Sequence, residues 1–359
     1  MKRYLFLLVF ITKILFSQNI NYDPIQIKQF DHKIRLGISP GIASVKPAFL
    51  DESATSWVYN AFFNSLLGSK NPLVYSPFKP KAARMQTFDW EVHYTYKYKL
   101  EISYVKYQTL FSADRGTAAT AIFYTPGNND YNWSLFEGAR LLKYYNRVDN
   151  IKISYLFILP KWKWIKVGPT LIYEKYHEKN VVSIGSYTLR RQTATINPTL
   201  RTWNAGGESS ILYNLKGIYP GITSRFFLYK WLHINFNLYY LNRTGNFSFN
   251  GVQILQKTKD NEANFKELTF MVPNYNGDPK DIGIRTNIEG EFKICRFSFI
   301  LGYVREDYKR KYLSYFGTTF GNTEDVILKT PNWGFGEIAN QHKASRDQIY
   351  FKFNMAFYL

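Results

Sequence analysis

One cysteine, Cys295, stands in 359 residues. That scarcity excludes an intrachain disulfide framework and any metal site built from cysteines. Histidine is nearly as rare: His32, His93, His177, His233 and His342 are scattered, and no spacing brings them toward one metal ion. Long apolar runs are missing as well. Nowhere after Phe16 do about twenty apolar residues follow one another, so no segment can cross a membrane as a helix. There is no G-x-S-x-G elbow, no H-E-x-x-H pair and no phosphate-cradling glycine loop. No catalytic, cofactor-binding or metal-binding residue can therefore be assigned from motifs. Acidic residues are few beside basic ones, 27 against 46, which leaves a net charge of +19 and calls for anionic partners.

Aromatic residues are what the chain has in excess: 18%, with 29 Tyr and 29 Phe, more than a soluble core of this size needs. The N-terminus reads as an export signal. Met1-Lys2-Arg3 precedes the apolar stretch Tyr4 to Phe16, which closes near Ser17-Gln18, and no cysteine follows that could carry a lipid. Residues 1–18 are expected to be the signal and 19–359 a single domain. Export argues against nucleic acid as the anionic partner.

Strict period-two alternation marks the strands. The last stretch is the clearest: Ile349, Phe351, Phe353, Met355, Phe357 and Leu359 form one apolar ribbon, with Tyr350, Lys352, Asn354, Ala356 and Tyr358 on the other face. Basic, bulky turns recur about every 65 residues, at Lys97-Tyr98-Lys99, Lys161-Trp162-Lys163, Tyr229-Lys230-Trp231 and Lys293-Ile294-Cys295-Arg296. Strands flank each turn, so the unit is strand, short turn, strand, long loop. The expected long loops run from Val45 to about Arg84, Ser112 to Arg147, Glu178 to Glu208, Arg243 to Lys280 and Arg305 to Arg346. The third of them, rich in Ser, Thr and Arg, is also open to extension of the neighbouring strands. Pro169 and the Tyr219-Pro220-Gly221 run, where alternation falters, predict bulges. The count is ten strands, with eight to twelve allowed by what the third and fourth loops could hide.

The terminal ribbon resembles the C-terminal strand of bacterial outer-membrane β-barrels, with Leu359 where those proteins usually end in Phe or Trp. The resemblance implies an all-β, transmembrane, antiparallel up-and-down barrel in the outer membrane of a Gram-negative-type envelope. It also makes Phe353, Met355, Phe357 and Leu359 an assembly signal read by the outer-membrane assembly machinery. Short turns would face the periplasm, long loops the outside, and the surplus aromatics would form girdles at the two interfaces. Ten strands with five long outer loops resemble the omptin proteases and the Opc-type adhesins. The Asp-x-His pair that omptins use is absent, and their activity is not expected here.

If the apolar face meets lipid, the polar face lines the lumen. A charge network of Arg35, Asp89, Glu91, His93, Lys152, Lys166, Glu174, Arg285, Glu289 and Lys352 is then expected inside, as structural filling. Outside, Tyr308, Lys309, Arg310, Lys311 and Tyr312 are the candidate loop contacts for a polysaccharide or lipopolysaccharide. Asp130, Asp278 and Asp281 fall in expected loops that could hold a calcium ion, with solvated turn acids the commoner reading of such residues. The partners expected are outer-membrane lipid, lipopolysaccharide and an anionic polysaccharide ligand; no nucleic acid and no cofactor are expected. Adhesin-like binding by the loops is the leading function, a narrow porin-like channel for small solutes the alternative, and a surface hydrolase at the loop bases the third.

A terminal assembly signal makes a testable demand. Phe357→Ala, or removal of Phe357 to Leu359, should sharply lower the heat-modifiable protein in the outer membrane, and Tyr358→Ala should do so much less. Semi-native gels of the three variants decide it. Equal assembly in all three would show that the terminal ribbon is no signal.

Overall fold

Alternating strands can satisfy their backbone groups only by pairing on both sides, and a single sheet does that throughout only if it closes on itself. The computed structural model describes residues 32–51, 74–77, 81–97, 99–112, 117–124, 131–192, 200–259, 266–321 and 341–358. The expected export signal, Leu359 and Asp130 lie outside these residues.

The strands are β1 (His32–Lys46), β2 (Val74–Pro77), β3 (Ala83–Tyr96), β4 (Leu100–Ser112), β5 (Thr117–Tyr124), β6 (Tyr131–Tyr155), β7 (Phe157–Leu159), β8 (Trp162–Gln192), β9 (Leu200–Phe227), β10 (Leu232–Lys259), β11 (Lys266–Ile294), β12 (Phe297–Gly321) and β13 (His342–Tyr358). Their pairing makes a closed antiparallel barrel of 10 staves. β2 with β3, β4 with β5, and β6 with β7 each make up one stave, because their pairings continue one another. Around the ring the order is β1, β3, β4, β6, β8, β9, β10, β11, β12, β13 and back to β1, where Ile34 faces Phe357 and Leu36 faces Met355.

Three of the short turns fall where the sequence puts them, and the second lies slightly earlier, at 160–161. Lys97 and Cys295 carry the left-handed conformation that such tight reversals need, with φ of 47° and 53°. All four turns, His32 and Tyr358 share one end of the barrel.

The expected loops are corrected at the other end. Strand continues through most of what was read as the second to fifth loops: β6 begins at Tyr131, β8 runs to Gln192, β10 to Lys259, and β12 to Gly321. The third segment extends its neighbouring strands, as the sequence allowed; the others were read as loops because above the apolar belt both faces of a strand are polar or mixed, so alternation ceases to be visible while pairing continues. The bulges expected at Pro169 and Pro220 are also corrected. Register is unchanged across both: Ser154 faces Thr170 and Phe157 faces Val167, while Leu171 faces Pro220 and Thr170 faces Gly221. Beside Pro169, opposite Gly168, the ladder lapses at Leu156, whose N–H keeps a partner in Lys99 O at 2.7 Å. Alternation falters at Tyr219 because this aromatic points inward, fully buried. True register shifts sit at Gln86/Thr87, Leu141/Lys143, Ile158/Leu159 and Gly277/Pro279.

Outside, the apolar side chains form one belt at the turn end. Leu36, Ile38, Trp90, Ile102, Ile153, Leu171, Ile222, Phe236, Leu238, Ile288, Leu301 and Phe351 are all exposed there. Aromatics edge it. Tyr155, Trp162, Tyr229, Trp231 and Phe297 lie by the turns, with Tyr229 stacked on Trp231 at 5.4 Å, and Tyr104, Tyr173, Tyr240 and Tyr303 lie at the far margin. From Leu232 to Tyr240 the belt is about 20 Å tall at the strand tilt usual for barrels.

Gly168 lets β8 pass close to its neighbour: an added Cβ would sit 1.8 Å from Tyr155 O. Because that obstacle is backbone, Gly168→Ala should cost about 1–3 kcal/mol, as overpacking does. Urea titration of the folded barrel is expected to show a lower midpoint; an unchanged midpoint would mean the two strands are not this close.

Candidate functional site

The interior holds two linked charge systems and an aromatic layer. Near the turn end, Arg35 Nη1 donates to Glu291 Oε1 at 2.9 Å, and Arg225 makes a two-pronged contact with Glu101 at 2.7 and 3.1 Å. Arg225 Nε also donates to Asn235, whose amide donates to Glu289 at 3.2 Å. Lys352 lies 2.5 Å from Glu91 and 3.6 Å from Glu289, and Tyr350 donates to Glu289 at 2.5 Å. His93 sits between Glu91 at 3.5 Å and Glu101 at 3.9 Å.

Further from the turns, four arginines and three acids alternate in one chain. Arg346 lies 3.9 Å from Glu306; Glu306 is 2.6 Å from Arg285; Arg285 donates to Glu174 at 2.7 Å. Glu174 is 3.4 Å from Arg243; Arg243 donates to Asp281 at 2.7 Å, and Asp281 also takes Arg310 at 2.7 and 3.0 Å. Arg243, Asp281 and Arg310 have side chains of 0% exposure. Tyrosine rings fill the space between: Tyr176 lies 3.7 Å from the Arg243 guanidinium, Tyr213 lies 3.8 Å from that of Arg310, and Tyr219 donates to Glu174 at 2.6 Å. Stacked guanidiniums keep their in-plane N–H groups for carboxylates, which is how a cation can sit without water.

Above this chain the interior turns apolar. Ala43, Val45, Met85, Leu141, Ile211, Leu215, Phe247, Phe249, Tyr275 and Tyr312 are buried together. The single helical turn 48–51 that follows β1 adds Phe49 and Leu50, both at most 2% exposed. Asp51 pins this turn by accepting the Lys343 N–H at 2.8 Å.

What remains between the two charge systems is a cavity of about 170 Å³ lined by residues of both signs. This is below the roughly 300–1,000 Å³ of ordinary ligand pockets, and the balanced charge of its wall selects neither anion nor cation. Arg35, Asp89, Glu91, His93, Lys152, Glu174, Arg285, Glu289 and Lys352 all line it. Lys166 stands apart at the turn end, 5.5 Å above the Phe227 ring.

The remaining candidates are placed differently from the sequence reading. Tyr308, Lys309, Arg310, Lys311 and Tyr312 lie within β12, not in a loop. Strand parity turns Tyr308, Arg310 and Tyr312 inward, all buried, and leaves Lys309 exposed outside. Asp281, read as a turn acid, is held between two arginines on β11. Phe353, Met355 and Phe357 point outward on β13, Phe353 stacked on Phe297 at 5.5 Å. Sequence reasoning missed Glu101, Arg225, Glu291, Arg243, Glu306 and Arg346. Glu101 and Glu291 were legible, since each alternates with outward apolar neighbours; Arg243, Glu306 and Arg346 fell in segments read as loops.

No protein-family model and no curated protein matches the chain. Among solved structures it is similar to OccAB3 of Acinetobacter baumannii, at 8% identity and a TM-score of 0.17, over 91% of this chain and 100% of that one. The siderophore receptor PirA of Pseudomonas aeruginosa gives 7%, 0.14, 90% and 80%. The ferric citrate transporter FecA in the unliganded form gives 8%, 0.10, 91% and 79%. At these scores the class rests on the chain's own strand pairing: a closed antiparallel barrel, apolar outside and polar within.

Breaking the buried arginine chain should be costly, because a removed partner leaves a charge without compensation. Asp281→Asn strands Arg310 and half-strands Arg243, so a loss of about 3–5 kcal/mol is expected. Lys309→Gln, one residue from Arg310 but on the outer face, should stay within about 0.5 kcal/mol. Equilibrium unfolding of both variants checks the contrast; equal losses would mean the inner and outer faces of β12 are exchanged.

Proposed function

We propose that the chain is an integral outer-membrane β-barrel, exported by residues 1–18, whose function lies on the surface beyond the membrane and whose lumen is structural filling. A single observation carries the reading: the interior is crossed by the Arg346–Glu306–Arg285–Glu174–Arg243–Asp281–Arg310 chain and capped by the aromatic layer, while the staves rise well past the apolar belt. A conducting pore needs a continuous polar path, and fully buried guanidiniums locked to carboxylates do not offer one. The belt, with aromatics at both margins, supports the membrane placement, since a water-soluble protein rarely exposes so large an apolar surface. On this reading an adhesin-like role, binding a basic-surface ligand such as an anionic polysaccharide, is favoured over a solute channel.

The pure protein in a planar bilayer should then insert without steady single-channel steps. Cys295 supplies the topology within the same reading, because it is exposed and lies in a turn at the end that holds His32 and Tyr358. A membrane-impermeant maleimide should leave it unlabelled on intact cells and label it once the outer membrane is opened. Stable conductance steps would favour the channel, and labelling of intact cells would invert the topology.

A further inference from the structure

The outer surface just beyond the apolar belt is not evenly charged. Strand register places Tyr104, Ile151, Tyr173 and Ile218 side by side on β4, β6, β8 and β9, at the upper margin of the belt. The next outward row along the same four strands is Lys106, Asp149, Lys175 and Lys216, and the row beyond it holds Arg147 facing His177. Lys179, one row further, faces Tyr145. Asp149 is the one acid in these rows and already accepts from Arg147 at 3.1 Å and from Tyr104 at 2.9 Å. Among the described residues no carboxylate lies within ion-pair reach of Lys106, Lys175, Lys179 or Lys216.

In the row just above the belt the opposite side differs, although two rows higher Lys309 and Lys343 also face each other, both exposed. Above Tyr303 on β12, Arg305 is 2.5 Å from Asp307 and 3.8 Å from Asp347, so cation and anions meet within the protein. On β8 and β9, in contrast, Lys175 and Lys216 are direct cross-strand partners, both exposed. Like charges directly opposite in a sheet destabilise it, and Asp149, across from Lys175 on β6, is taken up by Arg147 and Tyr104 instead of pairing with it. An anion shared between the two ammonium groups would relieve them.

We infer that the β4–β6–β8–β9 face holds the phosphorylated headgroup of an outer-leaflet lipid, bound between Lys175 and Lys216, with Lys106, Arg147 and Lys179 around it. The inference rests on the membrane placement proposed above, which puts these rows at headgroup depth. Charge complementarity favours a phosphate over a carboxylate sugar, since one phosphate offers several acceptor oxygens to both lysines. Tyr104 and Tyr173 below supply the amphipathic rings that suit the interface, and the apolar belt beneath receives the acyl chains. A juxtamembrane lysine contributes about fivefold to such binding.

The full chain, folded in neutral detergent micelles, is titrated with phosphorylated lipid A, with its dephosphorylated form and with inorganic phosphate, and binding is read by calorimetry. The phosphorylated lipid should bind; the dephosphorylated form should not compete, nor should inorganic phosphate at the same concentration. The double variant Lys175→Gln/Lys216→Gln should bind roughly thirtyfold more weakly, while Arg305→Gln on the far side, whose charge Asp307 and Asp347 already meet, stays within about threefold. Lipid-free unfolding of the first variant should be unchanged or slightly harder, which separates lost binding from lost fold. Equal weakening by both variants, equal binding of the dephosphorylated lipid, or displacement by inorganic phosphate overturns the site. Failure of the parent chain to insert into phosphatidylcholine vesicles overturns the membrane placement as well; insertion without lipid selectivity overturns only this inference.

Discussion

A sheet whose first and last strands pair with each other has no edge, and closure between β1 and β13 is the constraint from which the rest follows. Once the ring is shut, every strand residue points either into a narrow interior or out to the surroundings, with no third option. A one-residue slip at the seam would exchange Phe351 and Phe357 for Lys352 and Tyr358 on the outer face, so the seam register is tied to the environment of the whole molecule. The apolar belt and the charged interior are two sides of that parity.

Inside a ten-stave barrel there is too little room for bulk water and too much for apolar residues alone to bridge. Long, planar, polar side chains answer both demands. Each guanidinium spans several ångströms, stacks on a tyrosine and gives its edges to carboxylates. Seven alternating charges thus tie β8, β10, β11, β12 and β13 together across the lumen. Such a network contributes less to net stability than its contact distances suggest, since every ion was first taken out of water. On the reading proposed above, it favours one arrangement of the interior and leaves function to the outer surface.

That surface divides by side. Acids beside Arg305 neutralise the β12–β13 face just above the belt, while the β4–β9 face keeps its cations and sets two of them opposite each other. An even coat of charge would serve solubility. A row of cations at a fixed height above an apolar belt, as on β4 to β9, fits contact with an ordered layer of anions.

The sequence by itself determined the strands at the belt, the four short turns, the ten-stave count and which face is apolar, because alternation and turn chemistry are local and survive without knowledge of partners. It placed nine of the ten expected interior charges on the cavity wall for the same reason: parity is a property of one strand. Only tertiary structure decided the rest. The height of the staves depends on pairing between strands whose two faces are both polar, which leaves no period to read. The roles of Arg243, Asp281 and Arg310 depend on bringing β10, β11 and β12 into one register, and Lys175 meets Lys216 only because β8 lies against β9. Pairing across the sheet is a relation between distant residues, and no local pattern in either strand records it.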